Sequence, residues 1–90
     1  MAKRNKLEII RDILDIIREN NGGIRPTPLL RKSNLSSKRY NEYFKELIGK
    51  GFVRETRGKK KERIIALTEK GFKFLDKYHI IVGFIDEFEL

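Results

Sequence analysis

The segment from Ser33 to Leu75 constrains this 90-residue chain more than any other. It opens with Ser33-Asn34-Leu35-Ser36-Ser37-Lys38-Arg39-Tyr40, where a helix breaks and a new helix cap follows. Apolar residues at helical spacing then run to Gly49-Lys50-Gly51. Phe52 to Thr56 and Glu62 to Leu67 are rich in β-branched and apolar residues, and they flank Arg57-Gly58-Lys59-Lys60-Lys61 as a hairpin would. Leu67-Thr68-Glu69-Lys70-Gly71-Phe72-Lys73-Phe74-Leu75 opens a closing helix, with Thr68 as its cap.

Two short helices, a two-stranded wing and a closing helix predict a mostly α fold with a small β-hairpin. This is a winged helix-turn-helix with an extended C-terminal helix. Residues 1–75 form the winged-helix domain, and residues 76–90 continue from it as a helical tail. Ahead of this unit, Asn5 caps a first helix ending near Asn20, where Asn21-Gly22-Gly23 supplies a left-handed stop. Leu7, Ile9, Ile10, Ile13, Leu14, Ile16 and Ile17 cover half of its circumference, so it should be a central beam touching several elements. Thr27-Pro28 reads as an N-cap followed by proline at the first helical position of the second helix. In the third helix Tyr40, Tyr43, Phe44, Leu47 and Ile48 share the buried side.

The charge is uneven. Residues 1–75 carry 20 Lys/Arg against 9 Asp/Glu, a net of +11, while residues 76–90 carry one Lys against four acids, a net of −3. A basic body with an acidic end points to a polyanionic partner on one part of the surface. The longest uncharged apolar stretch, Ile80 to Ile85, is far too short to span a bilayer, and no signal segment is visible. Absence of cysteine excludes disulfides, thiolate zinc sites and cysteine nucleophiles, and an intracellular location is expected. There is no Gln or Trp, 12 residues are Ile and 38% are charged, a balance resembling that of hyperthermophile proteins.

The third helix is the candidate reader, because a major groove admits one α-helix and its N-terminal residues reach base edges. Ser36 and Ser37 can donate to phosphate, Lys38 and Arg39 add charge, Asn41 suits adenine, and Lys45 lies a turn further along. Glu42 sits among them, either accepting from cytosine or repelling the backbone. The alternative is an ordinary solvated face whose serines are only caps. In the hairpin, Arg57, Lys59, Lys60 and Lys61 suit phosphates, and Arg54 and Arg63 add charge on the strands. Edge-strand lysines also prevent aggregation, but three in a row beside Arg57 exceed that need. Lys3, Arg4 and Lys6 form a basic arm, either contacting phosphate or merely solvated.

On the last helix, Phe74, Tyr78, Ile81, Ile85 and Phe88 recur at coiled-coil spacing, flanked by Leu75, Val82 and Phe84. Left alone they would expose a large apolar stripe, so a homodimer built on them is expected. The competing arrangement folds the tail back over helix 1. His79 has no partners for a metal, and the acids near the C-terminus lack a second ligand type. No phosphate loop, nucleophile–base pair or metal-ligand spacing occurs, so neither enzyme activity, metal nor cofactor is expected.

Together these residues resemble a family of small basic archaeal winged-helix proteins, described as chromatin-associated or regulatory. The resemblance rests on Lys6-Leu7-Glu8-Ile9-Ile10-Arg11-Asp12-Ile13-Leu14, Asn34-Leu35-Ser36, Leu47-Ile48-Gly49-Lys50-Gly51-Phe52-Val53 and Leu67-Thr68-Glu69-Lys70-Gly71 with Phe74-Leu75. It implies double-stranded DNA as partner with limited sequence preference, and dimers joined through antiparallel C-terminal helices. Pro26-Thr27-Pro28 and a short C-terminal helix depart from the pattern. The expected function is double-stranded DNA binding by a homodimeric transcriptional regulator or architectural chromatin protein, cytoplasmic and nucleoid-associated. The alternatives are a protein-interaction module using the apolar tail, and RNA binding.

Overall fold

The computed structural model describes residues 4–90; Lys3 of the basic arm lies outside them. The elements in chain order are α1 (Lys6–Glu19), β1 (Gly23–Ile24), α2 (Pro26–Ser33), α3 (Ser37–Gly49), β2 (Val53–Arg57), β3 (Arg63–Leu67) and α4 (Glu69–Glu87).

Local side-chain chemistry sets the bounds of α1. The Asn5 side chain accepts from the Glu8 N–H at 2.8 Å while Glu8 accepts from the Asn5 N–H, a reciprocal capping box. At the other end Asn21 and Gly22 adopt left-handed φ of 60° and 80°, and the Gly22 N–H returns to the Ile17 carbonyl at 3.0 Å. Ile9, Ile10, Ile13, Leu14 and Ile17 are buried, and α1 touches α2, α4, β1 and β3, the central beam expected. Leu7 departs from that expectation: as the second residue of the helix it is 55% exposed.

The sheet has three strands, one more than expected, in the order β1-β3-β2, all antiparallel. Strand β1 is only two residues long and pairs Gly23 with Ala66 and Ile24 with Ile65. It occupies the edge of β3 that a two-stranded wing would leave open, burying Ile24.

Helix α2 starts two residues earlier than Thr27-Pro28 predicts. Arg25 is the N-cap and Pro26 takes the first helical position, leaving Thr27 and Pro28 inside the first turn. Both prolines are tolerated because first-turn amides have no partner within a helix. The helix ends at Asn34, left-handed at φ 58°, and the Ser33 hydroxyl donates to the Leu30 carbonyl at 2.6 Å. Leu35 turns inward against the core. Ser36 then caps α3, accepting from the Arg39 N–H at 3.2 Å. Tyr40 and Leu47 are buried and Tyr43 and Phe44 partly so, but Ile48, expected on the same side, is exposed.

Thr68 caps α4 by accepting from the Gly71 N–H. At 19 residues α4 is about 28 Å long. Its first half packs on the body through buried Leu75 and through Phe74, whose ring centre lies 5.2 Å from that of Phe52. Arg11 of α1 lies over the Tyr78 ring at 5.2 Å. Beyond His79 the helix leaves the body: Ile80, Ile81, Phe84, Ile85 and Phe88 are exposed, so the tail does not fold back over α1.

Candidate nucleic-acid interface

Ser36, Ser37, Lys38, Arg39, Asn41 and Lys45 are all exposed on α3. Their angular positions divide them. Lys38, Asn41 and Lys45 follow one another at three- and four-residue steps and form the outward ridge with Glu42. Ser36 spends its side-chain oxygen on the cap. Ser37 and Asn41 lie on the wing side, where they share a recess with Thr27, Tyr40 and Arg63. Arg39 faces the opposite flank, with Lys6, Glu42, Tyr43 and Glu46, and its guanidinium lies 6.0 Å from the Tyr43 ring centre. The structure therefore groups Ser37, Asn41, Lys38 and Lys45 and sets Arg39 apart toward α1.

The wing tip is built by backbone hydrogen bonds. The Gly58 N–H donates to the Glu62 carbonyl at 2.9 Å and the Lys61 N–H to the Gly58 carbonyl at 3.0 Å. The left-handed residue of this turn is Lys61, at φ 63°, while glycine at 58 makes room for the Glu62 carboxylate, which a side chain there would strike. Glu62 accepts from the Lys60 N–H at 3.0 Å, and Arg57 donates to the Lys61 carbonyl at 3.2 Å. These bonds hold the three lysine backbones in one tight loop with exposed side chains.

Ion pairing sorts the cations. Arg4, Lys6, Arg11, Arg18, Lys50, Arg63 and Lys73 each stand within salt-bridge reach of a carboxylate. Among the described residues Lys38, Lys45, Arg57, Lys59, Lys60 and Lys61 form no such pair. Arg25, Arg31, Lys32, Arg39, Arg54, Lys70 and Lys77 are likewise without a carboxylate partner among the described residues, so the unpaired charge includes the outward ridge of α3 and the wing tip but extends to α2 and α4. Arg4 of the proposed arm is instead structural, bonding Asp12 at 2.8 Å and the Ser33 carbonyl at 3.0 Å.

Arg63 links the two elements. Its guanidinium bonds Glu55 across the wing through two nitrogens, at 3.0 and 2.5 Å. These bonds hold the Glu55 carboxyl below its ordinary range and raise the guanidinium in turn. Burial pushes the Tyr40 phenol up, partly offset by the Arg63 charge, so the hydroxyl stays protonated through neutral pH. That hydroxyl is buried without a hydrogen-bond partner. Sequence reasoning missed Arg25 and Arg31 as neighbours of this region, because only folding brings α2 beside β3.

Phe74 and Tyr78 of the proposed seam face the chain's own body, while Ile81, Ile85 and Phe88 are 57%, 39% and 58% exposed. His79 sits between Arg18, 3.4 Å away, and Asp15, 3.8 Å away. Among the described residues no cluster of three or more His, Asp or Glu is disposed to hold a metal. No helix among them is long and apolar enough to cross a membrane.

A helix-turn-helix followed by a hairpin wing defines a winged-helix protein. The chain belongs to the winged helix-turn-helix family, whose model matches residues 3–83. Sso10a-2, a DNA-binding protein from Sulfolobus solfataricus, is similar in structure, with a TM-score of 0.74 and 19% identity over 96% of this chain and 86% of that one. A winged-helix DNA-binding protein from STIV is similar at TM-score 0.73 and 20% identity, over 89% of this chain and 91% of its own. The SSV1 protein F-93 is similar at TM-score 0.66 and 26% identity, over 96% and 99% of the two chains. No curated protein matches in sequence.

Proposed function

We propose that this chain binds double-stranded DNA, with α3 in the major groove and the wing lysines on the flanking phosphates. The observation that carries the reading is the uncompensated charge of Lys38 and Lys45 on α3 and of Lys59, Lys60 and Lys61 on the wing. These five lysines are exposed, none has a carboxylate within salt-bridge reach among the described residues, and three of them are consecutive at one tight turn. The DNA-binding descriptions of Sso10a-2 and the STIV protein support the reading. Binding carried mainly by lysines on phosphates favours an architectural chromatin protein or a regulator of limited sequence preference, nucleoid-associated in the cytoplasm. Fluorescence anisotropy with a labelled duplex tests it. Affinity should fall steeply as salt rises, with a slope of about 0.9 per phosphate contact. Flat salt dependence rejects the reading.

The functional unit is a homodimer joined through α4. Ile80, Ile81, Phe84 and Ile85 on α4 and Phe88 at its C-cap support this, since all are exposed. The same surface supports a second reading, a protein-interaction module with a heterologous partner. Sedimentation of the isolated protein separates the two, because only the first requires a dimer.

A further inference from the structure

Beside the reading ridge lies a second cationic site that the wing and α3 do not account for. Arg25, Arg31 and Arg63 line one recess of about 510 Å³ at the N-terminal end of α2. Arg25 and Arg31 are exposed and pair with no carboxylate among the described residues. The one acid lining the recess, Glu62, turns toward the wing tip, where one carboxylate oxygen accepts from the Lys60 N–H and the other lies against Gly58. Glu55 holds Arg63 through Nε and one terminal nitrogen, leaving Nη1 unused by that pair.

The helix end itself adds little. Its first turn has no side-chain cap, and of Pro26, Thr27 and Pro28 only Thr27 owns an N–H. An adjoining recess of about 260 Å³ supplies a second observation. Pro26, Thr27 and Arg63 line it as well, and so does Tyr40, only 6% exposed, whose hydroxyl has no partner. Three guanidinium groups and the Thr27 amide therefore line one recess, with Tyr40 in the recess beside it, and of the three arginines only Arg63 has a carboxylate partner. Guanidinium forks fit tetrahedral oxyanions in a two-pronged way.

We propose that Arg25, Arg31 and Arg63, with Thr27, form a phosphate clamp that grips a DNA phosphodiester on the wing side of α3. The clamp rests on the DNA-binding reading and extends it to α2. Ser37 and Asn41 share the adjoining recess, so a phosphate held there fixes the register of the base edges that Asn41 meets. Glu55 competes with the phosphodiester for Arg63, and the clamp closes fully when that pair opens.

Duplex binding by the full chain across a salt series tests the clamp. R25A/R31A should lower the slope of log affinity against log salt by about 1.8, two contacts at about 0.9 each. R25K/R31K should keep the slope while weakening binding, because a point charge replaces the fork. E55Q should tighten binding, and thermal melts confirm that each exposed substitution leaves the fold intact. An R25A/R31A slope equal to wild type, in a protein whose K59A/K60A/K61A variant has lost affinity, overturns the clamp and leaves DNA binding standing. Wild-type protein without salt-dependent duplex binding overturns both. Inorganic phosphate followed by the Thr27 amide resonance separates the sources. Millimolar saturation abolished in R25A/R31A, with duplex binding untouched, assigns the site to free phosphate and overturns the clamp.

Discussion

A side chain on Gly71 would run into the carbonyl oxygen of Phe52. The two meet because the end of α3, the start of β2 and the first turn of α4 are tied at one point. The Thr68 hydroxyl lies 2.6 Å from the Gly51 carbonyl, the Thr68 N–H reaches Phe52 at 3.1 Å, and the Lys70 ammonium bonds the Lys50 carbonyl at 2.6 Å. Leu-Thr-Glu-Lys-Gly is thus a docking device in which each residue has a partner or a clearance to meet. Gly71→Ala must push α4 off the sheet, at a cost of about 1–3 kcal/mol. Thr68→Ala loses both the cap and the hydroxyl's bond to the Gly51 carbonyl, on the order of 2 kcal/mol. Urea unfolding should show both as lower midpoints with unchanged slope.

The wing lysines carry charge without structure. Their backbones hold the turn while their side chains are exposed and unpaired, so K59A/K60A/K61A should leave the melting temperature unchanged. Duplex affinity should drop and its salt slope should fall by up to about 2.7, three contacts at about 0.9 each. Unchanged affinity in the same titration assigns those lysines to edge protection instead.

Helix α4 divides by exposure near Tyr78. Ile81→Glu with Ile85→Glu places two charges on a face already open to water, so the monomer fold should persist and any dimer should dissociate in a sedimentation run. Phe74→Ala acts on the other half. It removes a ring packed on Phe52 and should cost on the order of 2 kcal/mol of stability, less than a fully buried phenylalanine. A wild-type protein that sediments as a clean monomer moves the proposal to a heterologous partner.

Sequence carried the caps and stops because they are local: Asn5 with Glu8, Ser36 with Arg39, and Thr68 with Gly71 each bond three residues away. It failed where folding chose between local equals. Arg25-Pro26 and Thr27-Pro28 both satisfy proline near a helix start, and the pairing of Ile24 with β3 decides for the first. Two residues of β1 cannot display an alternating pattern, so only the open edge of β3 explains that strand. The heptad spacing of Phe74, Tyr78 and Ile81 was legible, but spacing does not say whether the partner is Phe52 and Arg11 or another chain. Charge on the wing was plain, whereas the partition into paired and unpaired cations required Arg63 and Glu55, eight residues apart, to face each other.

The Tyr40 hydroxyl gives a test whose sign runs against ordinary expectation. It is buried and unpartnered, so folding removes it from water without replacing its hydrogen bonds. Tyr40→Phe keeps the ring, its stacking on Phe44 at 5.7 Å and its packing, and deletes only the unsatisfied group. The variant should be as stable as wild type or more so, by up to about 1 kcal/mol. The phenol's folded pKa is raised above 10.0 by burial, so the neutral form favours folding. That contribution is fully present below the unfolded pKa and is lost as pH rises through the folded value. Wild type should therefore lose stability above about pH 10 relative to Tyr40→Phe, a comparison in which lysine titration cancels. Chemical denaturation of both proteins at pH 7 and pH 11 measures it. A gap that stays constant between the two conditions shows that the hydroxyl reaches solvent or a partner.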